Sequence, residues 1–305
     1  MLRIYEKAFL GEKIVSLEEA KLSIASSAVL YGLSVYTVLP IVHTKDGAAA
    51  FRLADHFDRL INSSRIIGID TFEKNWTYEK FEKVLTDVVR ANSLKENVFA
   101  RITVHVDELV PGTRSRELST TLSIFLYEAK PIVPQNGVRL MTSRWQRVSD
   151  RAIPPRAKVN GAYVNSVLAK QEAIDAGFDD ALFLNVVGNI SELSAANIFL
   201  VKDSVLITPD TASDILEGIT RRTILEIAKE EEIKIEERSV QPSELTEADE
   251  AFASGTSSFV AHIKEIDGKI IGKGVLGPVT SMLQKKYFEL LKGQSVASKK
   301  YLTNL

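Results

Sequence analysis

The stretch Lys130-Pro-Ile-Val-Pro-Gln-Asn-Gly137 decides how the chain is organised, because its two prolines and its glycine separate two regions that each alternate strands and helices. Such a segment interrupts regular structure and is typical of a linker between domains. The length of 305 residues also fits roughly two domains. We therefore expect an N-terminal domain over 1–130, a linker over 131–137, a C-terminal domain over 138–292 and a polar tail over 293–305.

On the N-terminal side, the hydrophobic pattern switches between strand and helix periodicity. Apolar residues recur with the spacing of one helix face over 53–61 and over Tyr78–Ala91, while Val98–Val106 and Thr120–Tyr127 read as strands. The run Ala28–Val42 is the most apolar in the chain, but it is shorter than the ~20 residues of a bilayer span. We interpret it as buried strands, and we expect no membrane segment.

On the C-terminal side, Val138–Ser143 reads as a strand, Asn165–Ala176 as a helix ended by a glycine, and Thr220–Glu231 as a second amphipathic helix. The glycines of Gly272-Lys-Gly274-Val-Leu-Gly277 match a dinucleotide-binding loop. A proline follows them, however, and too little chain remains for the required βαβ unit, so we predict a turn before a helix. Both halves therefore belong to the α/β class.

The composition excludes several kinds of function. The 38 basic and 40 acidic residues argue against a nucleic-acid partner, and the absence of cysteine excludes thiolate nucleophiles and Cys-containing metal sites. The four histidines lack the spacing of a metal motif, so we expect no metal, and we interpret His56 as a capping residue. The N-terminus lacks the apolar stretch of a signal peptide, which predicts a cytoplasmic protein.

The candidate for chemistry is Lys158 in Pro154-Pro155-Arg-Ala-Lys158, which follows two rigid prolines and precedes a predicted helix. A lysine amine in a fixed position can form a Schiff base with an aldehyde. Pyridoxal phosphate needs such a lysine, together with an acid at its ring nitrogen, a donor at its ring oxygen and a phosphate site. The chain has candidates for the other three roles: Glu192 for the acid, Tyr163 for the donor, and, for the phosphate, Arg59 with the turns Glu217–Thr223 and Ser254–Ser258.

Several motifs together make the chain similar to one family. They run in order from Tyr31 to Tyr287 and include Tyr31-Gly-Leu-Ser-Val-Tyr36, Phe51-Arg-Leu-Ala-Asp-His-Phe-Asp-Arg59, Ala157-Lys158-Val-Asn-Gly-Ala-Tyr163, Ala196-Asn197-Ile-Phe, Leu216-Glu-Gly-Ile-Thr220-Arg and Ser254-Gly-Thr256. The chain thereby resembles the class IV, fold-type IV, pyridoxal-phosphate-dependent aminotransferases, and most of all the branched-chain aminotransferases. The resemblance implies two α/β domains with the active site in the crevice between them, usually in a homodimer.

The resemblance also implies a role for individual residues. Lys158 would bind the cofactor covalently and shuttle a proton, and Glu192 would keep the ring nitrogen protonated. The remaining cofactor contacts would come from Arg59, Tyr163, Leu216, Ile219, Thr220 and Thr256. The substrate pocket would be lined by Tyr31, Tyr36, Arg101, Thr256 and Ser257. Arg114 and Arg116 are rival candidates for the group that binds the substrate carboxylate.

The expected reaction moves an amino group from a branched-chain L-amino acid to 2-oxoglutarate. Two departures keep alternatives open. Branched-chain enzymes usually continue the first motif as Phe-Glu-Gly-Ile-Arg, whereas this chain has Tyr36-Thr-Val-Leu-Pro40, which also resembles (R)-selective amine and D-amino acid transaminases. The segment Glu192-Leu-Ser-Ala-Ala-Asn197 ends as in aminodeoxychorismate lyases. A cofactor-binding protein without turnover is a further alternative.

Overall fold

The computed structural model describes residues 2–305, which divide into two compact units. The first half of the chain contains six strands and four helices. The strands are β1 (Lys7–Leu10), β2 (Lys13–Ser16), β3 (Ser34–Thr44), β4 (Gly47–Phe51), β5 (Val98–Val106) and β6 (Thr120–Glu128). The helices are α1 (Ser27–Tyr31), α2 (Leu53–Ile66), α3 (Asp70–Asn75) and α4 (Tyr78–Ala91).

The second half adds the remaining elements. The strands are β7 (Val138–Thr142), β8 (Asp180–Leu184), β9 (Ile190–Leu193), β10 (Asn197–Lys202), β11 (Val205–Thr208), β12 (Ile235–Glu237), β13 (Glu250–Gly255), β14 (Phe259–Ile266), β15 (Lys269–Ile270) and β16 (Leu302–Asn304). The α-helices are α5 (Tyr163–Asp175), α6 (Ile219–Glu230) and α7 (Pro278–Leu291). Short 3-10 helices lie at Thr211–Ser213, Pro242–Glu247 and Val296–Lys300.

The first unit comprises three stretches of chain: the residues up to Lys130, then Ala157–Ala162 and Leu290–Leu305. Its sheet has seven antiparallel strands in the order β16-β4-β3-β5-β6-β1-β2. Helices α2 and α4 pack on this sheet through apolar side chains that form one core. The short segment 157–162 belongs to the same core through Ala157, Val159 and Ala162.

The second unit comprises Pro131–Arg156 and Tyr163–Glu289. Its main sheet runs β12-β11-β10-β13-β14-β7-β8-β9, with β15 paired to β14. The pairs β11–β12, β14–β7 and β7–β8 are parallel, and the other pairs are antiparallel. The mixture of helices and sheets confirms the α/β class expected from the sequence.

The helices with a clear apolar face were predicted well. Helix α4 covers Tyr78–Ala91, as expected, and its buried residues are Phe81, Leu85, Val88 and Val89. Its amphipathic spacing lets one stripe reach the core while the charged residues stay in water. Helix α5 ends before Gly177, whose φ of 81° is the left-handed conformation common after a helix. The Gly272–Gly277 segment forms the turn expected before α7.

The interpretation of Ala28–Val42 as buried strands is wrong for its first residues. Ser27–Tyr31 forms helix α1, which ends where Gly32 takes a φ of 65°. A Cβ at Gly32 would lie 2.9 Å from the Cα of Gly161, so glycine is needed both for the conformation and for the close approach. Leu30 and Tyr31 are about half exposed, so apolar composition alone did not indicate burial here.

The segment 293–305, expected to be a polar tail, is ordered into the first unit. Tyr301 is buried, and its ring lies 6.0 Å from the ring of Phe51. Leu302–Asn304 then pairs with β4 as the edge strand β16. Most of its polar residues face water, although Ser298 is buried, and the pairing with β4 and the buried Tyr301 fix the segment. The linker residues also make specific contacts, since the Ile132 N–H donates to the Ser257 carbonyl within the second unit.

No helix among residues 2–305 is long and apolar enough to cross a membrane.

Candidate active site

Lys158 is held by its backbone against the first sheet. The Tyr36 N–H donates to the Lys158 carbonyl at 3.0 Å, and the Lys158 N–H donates to Ser63 Oγ on α2 at 3.0 Å. The next residue, Val159, forms a bridge with Val35 of β3. These contacts fix the backbone of a lysine that lies outside any helix or strand, as its position after two prolines suggested.

The ring of Tyr36 lies close to two cations. The Arg101 Cζ is 3.9 Å and the Lys158 Nζ is 4.9 Å from the ring centroid. Arg101 pairs with Val38 across β3 and β5, two residues from Tyr36, so both side chains share one face of the sheet. The electron-rich ring face attracts both cations and limits where the lysine amine can lie.

Arg101 faces the Lys158 segment rather than bulk water. Its Nη2 donates to Asn160 Oδ1 at 2.6 Å, and Asn160 Nδ2 donates to Ser34 Oγ at 2.8 Å. Among the described residues no carboxylate forms an ion pair with Arg101. A half-buried arginine with neutral partners is suited to bind an incoming carboxylate. The rivals Arg114 and Arg116 lie exposed on their loop.

Arg59 lies on α2 and reaches β3. Its Nη2 donates to Thr37 Oγ1 at 3.0 Å, and the same oxygen lies 2.6 Å from His56 Nδ1. His56 is buried within the first turn of α2, whose N-terminal capping position is occupied by Arg52. His56 is therefore not the capping residue that the sequence suggested; its side chain binds the neighbouring strand.

Glu192 is the buried carboxylate of the second unit. Its Oε1 lies 2.7 Å from Arg147 Nη2, and both side chains are only 7% exposed. Its Oε2 accepts from Asn197 Nδ2 at 3.0 Å and from the Leu216 N–H at 3.1 Å. One cation and two N–H donors stabilise the ionised form, which would otherwise be costly at such burial. The arrangement presents a fixed negative charge.

A glycine makes room for this network. Asn197 Nδ2 also donates to the Leu216 carbonyl at 2.8 Å. A Cβ at Gly218 would lie 2.2 Å from Asn197 Oδ1, so any larger residue would displace the asparagine. Gly218 also precedes α6, where the buried Ile219 and Thr220 begin the first turn. N–H groups at a helix start lack intrahelical acceptors and favour anions such as phosphate.

The turn after β13 offers a second set of small polar groups. Ser254 Oγ and Ser258 Oγ are buried without a hydrogen-bond partner. A Cβ at Gly255 would lie 3.2 Å from the Ala195 carbonyl, so the turn closely approaches the segment that follows Glu192. Thr256 and Ser257, between the two serines, are half-buried. Unpartnered buried hydroxyls beside accessible backbone are suited to bind a polar ligand.

The structure groups the expected site residues into one set per unit. In the first unit, Lys158 and Arg101 both contact the ring of Tyr36, and Arg59 binds the neighbouring Thr37. Tyr31 is 48% exposed at the end of α1. The second unit contains the network around Glu192, with Leu216 in it, as well as the α6 start, the 254–258 turn and the half-buried Tyr163 at the start of α5.

These groups fit pyridoxal phosphate. The charge of Glu192 in the second unit suits a protonated ring nitrogen, and the N–H groups at the start of α6 suit an anion. In the first unit, the Arg59 guanidinium suits a phosphate. The buried hydroxyls of Ser254 and Ser258 and the close approach at Gly255 are further features of a polar ligand site. Within residues 2–305 no cluster of acidic residues and histidines is arranged to hold a metal ion.

Sequence reasoning missed three residues of these networks. Asn160 and Thr37 lie in or beside the motifs and Arg147 lies outside them, and none was assigned a role toward Arg101, Arg59 or Glu192. The one available signal was the position of Glu192 between predicted strands, where an isolated carboxylate is costly without a partner. Arg147 supplies that partner from 45 positions away.

Comparison with known proteins gives consistent results. A model of the family Amino-transferase class IV matches residues 34–266, which is more than half of the chain. A curated relative, the probable branched-chain-amino-acid aminotransferase of Aquifex aeolicus, is 35% identical over 300 residues, covering 97% of this chain and 96% of the relative.

Two solved structures show the same fold. The branched-chain aminotransferase of Thermoproteus uzoniensis with norvaline has a TM-score of 0.93 and 34% identity, covering 98% of this chain and 99% of that one. The branched-chain amino acid aminotransferase from Thermobaculum terrenum, in its PLP-form (holo-form), has a TM-score of 0.91 and 30% identity, with 98% of each chain covered.

Proposed function

Because the chain belongs to the class IV aminotransferase family and is therefore a transaminase, we propose that it transfers the amino group of a branched-chain L-amino acid to 2-oxoglutarate with pyridoxal phosphate as cofactor. The observation that carries the proposal is Glu192, a buried carboxylate whose oxygens contact the Arg147 guanidinium and two N–H donors. Such a fixed charge serves a cofactor whose ring nitrogen must stay protonated. The relatives named above support the choice of substrate.

When bound, pyridoxal phosphate supplies an aldehyde for the amino donor and a ring that accepts electrons from the donor's α-carbon. In this proposal Lys158 attaches the cofactor and later moves the proton at that carbon. Glu192 holds the proton on the ring nitrogen, and the Tyr163 phenol donates to the ring oxygen. Leu216 packs against the ring face.

The phosphate is assigned to Arg59 and to the backbone and side chains of Ile219, Thr220 and Thr256. Arg59 gives a full charge, and the α6 N-terminus adds N–H donors. The first unit acts as the N-terminal domain of the enzyme and the second as the main cofactor-binding domain.

The substrate is assigned to the Tyr36 side of the first sheet. Arg101 binds a carboxylate of the amino acid or of the 2-oxo acid, because it is half-buried and has neutral partners. Tyr31, Tyr36 and the Thr256–Ser257 backbone line the rest of the pocket.

A homodimer is part of the proposal. Val29, Leu30, Leu109 and Val110 are 47–70% exposed. They lie together, because Ser26 forms a bridge with Leu109 and the Val110 N–H donates to the Ala25 carbonyl. Contiguous exposed apolar residues are typical of an interface between proteins. Light scattering at two protein concentrations measures the mass of the particle and so tests for a dimer.

A cytoplasmic location stays a prediction from the sequence.

The test uses cofactor-loaded protein mixed separately with L-leucine, D-alanine and (R)-1-phenylethylamine, each with 2-oxoglutarate. Formation of L-glutamate and the leucine-derived 2-oxo acid supports the proposal. Product from D-alanine or the amine alone would instead favour the alternatives that Tyr36 and Thr37 leave open. As a control, borohydride reduction should fix the cofactor to the peptide that contains Lys158, and the Lys158→Ala variant should lose both attachment and turnover.

A further inference from the structure

We propose that Thr37 and His56 form a positioning pair that orients the Arg59 guanidinium toward the cofactor phosphate. The inference rests on the proposed function, because Arg59 has its phosphate role only there. It assigns a role to a strand hydroxyl and a helix imidazole, neither of which touches the phosphate in the assignment above.

The geometry joins three side chains through one oxygen atom. Arg59 Nη2 lies 3.0 Å from Thr37 Oγ1, and His56 Nδ1 lies 2.6 Å from that oxygen. His56 and Arg59 are three positions apart on α2, so they project from the same side of the helix toward β3. The Thr37 hydroxyl therefore connects the helix to the strand that carries Tyr36.

The direction of the hydrogen bonds follows from the chemistry of the groups. A guanidinium can only donate, so Thr37 Oγ1 accepts from Arg59. The hydroxyl proton then points to His56 Nδ1, which accepts when the imidazole is neutral and protonated at Nε2. In this arrangement each of the three groups takes one defined role, and the orientation of the hydroxyl is fixed.

Burial makes the arrangement rigid. Thr37 is fully buried and His56 is 1% exposed, so water does not compete for their hydrogen bonds. The guanidinium is planar, and a bond to one nitrogen fixes the plane in which its other N–H groups donate. Because the acceptor is an uncharged hydroxyl, it orients Arg59 without adding negative charge near a dianionic ligand.

The test compares two ligands that differ only in the phosphate. The full-length chain, freed of cofactor, is titrated with pyridoxal 5'-phosphate and with pyridoxal, and the ratio of the two dissociation constants measures the phosphate contribution. Thr37→Val keeps the shape but removes the hydroxyl, and it should lower affinity for the phosphate form about tenfold, the size typical of a hydrogen bond to a charged group. Affinity for pyridoxal should not change.

Conservative variants separate the hydroxyl from packing. Thr37→Ser should keep the wild-type ratio. His56→Asn places an amide near the position of Nδ1 and should also keep it, whereas His56→Leu should lower it as Thr37→Val does. Thr71→Val is a matched control, because Thr71 Oγ1 donates to the Leu118 carbonyl within the first unit and has no part in the site. If Thr37→Val does not fold, the comparison of His56→Asn with His56→Leu provides the test.

An unchanged ratio in both Thr37→Val and His56→Leu would overturn the inference. So would an equal loss of affinity for pyridoxal and for its phosphate, since that result means general damage to the unit. Failure of the proposed function is distinguishable, because the wild-type chain itself would then show no preference for the phosphate form.

Discussion

Arg147 Nη2 and Glu192 Oε1 lie 2.7 Å apart, with both side chains almost completely buried. The pair joins the loop after β7 to strand β9. Burial of two charges is tolerated because each compensates the other and Asn197 adds a donor. Loss of either member of the pair would leave the other charge buried without its counter-ion.

Replacement of Arg147 by methionine should destabilise the protein by about 3–5 kcal/mol, because Glu192 would be left buried without its cation. Urea unfolding measures this loss. The double variant with Glu192→Gln should recover part of it, since no buried charge then remains. If the free energy of unfolding of the Arg147→Met variant lies within about 1 kcal/mol of the wild-type value, water or other donors must solvate Glu192.

Glu192→Gln alone should leave cofactor bound but slow amino transfer about a hundredfold or more, the size typical of losing a group that controls a proton. Glutamine keeps the shape and still accepts from Asn197, but it has no charge to hold a protonated ring nitrogen. Single-turnover rates with L-leucine, together with the fraction of bound cofactor, measure the two effects separately. Unaltered rates would remove Glu192 from the site.

Gly218→Ala should destabilise the protein by about 1–3 kcal/mol and weaken cofactor binding, because the new methyl group collides with Asn197. The collision is specific, which allows a direct control. In an Asn197→Ala background the same substitution should cost much less, since the colliding oxygen is gone. Thermal and urea unfolding of the four proteins give the coupling, and strictly additive losses would contradict the steric explanation.

His105 should make stability depend on pH. Burial lowers the pKa of His105 from 6.5 to about 4, with the nearby Arg101 charge as a second cause. Between those values the unfolded chain binds a proton that the folded chain does not, so the free energy of unfolding falls as pH drops from 6.5 to 4. The full loss is about 3 kcal/mol.

The matched variant is His105→Gln, whose amide can keep the 2.8 Å contact that His105 Nε2 makes with Ser123. It should show a flatter decline over the same pH range, because its side chain does not titrate. Urea midpoints at several pH values between about 4 and 7 provide the comparison. Parallel curves for wild type and variant would show that the pKa of His105 is the same in the folded and the unfolded protein.

The sequence correctly predicted the helices whose apolar residues repeat regularly along one face. Helix α4 and its inward residues were correct because four apolar side chains repeat on one face. Helix α1 was missed, since five residues are too few to show a period and their apolar side chains are exposed. Strand β16 was missed because it pairs with β4 through backbone groups, and such pairing requires no particular pattern of side chains.

For the candidate site, too, the sequence identified some residues and missed others. Lys158, Glu192 and Arg59 were found because their motifs are continuous in sequence. Their partners were not, because Arg147 lies 45 residues before Glu192, and Thr37 lies 22 residues before Arg59 on another element. Hydrogen-bond partners from separate elements carry no periodic signal, and only the fold brings them together.

The first unit is built from three separate stretches of chain, which has a consequence for its synthesis on the ribosome. Its core needs residues 157–162, and its sheet needs β16, which is translated only after the whole of the second unit. Until β16 is made, the edge of β4 stays open to pairing with another chain. The whole of the second unit is therefore synthesised while the first sheet still lacks its last edge strand.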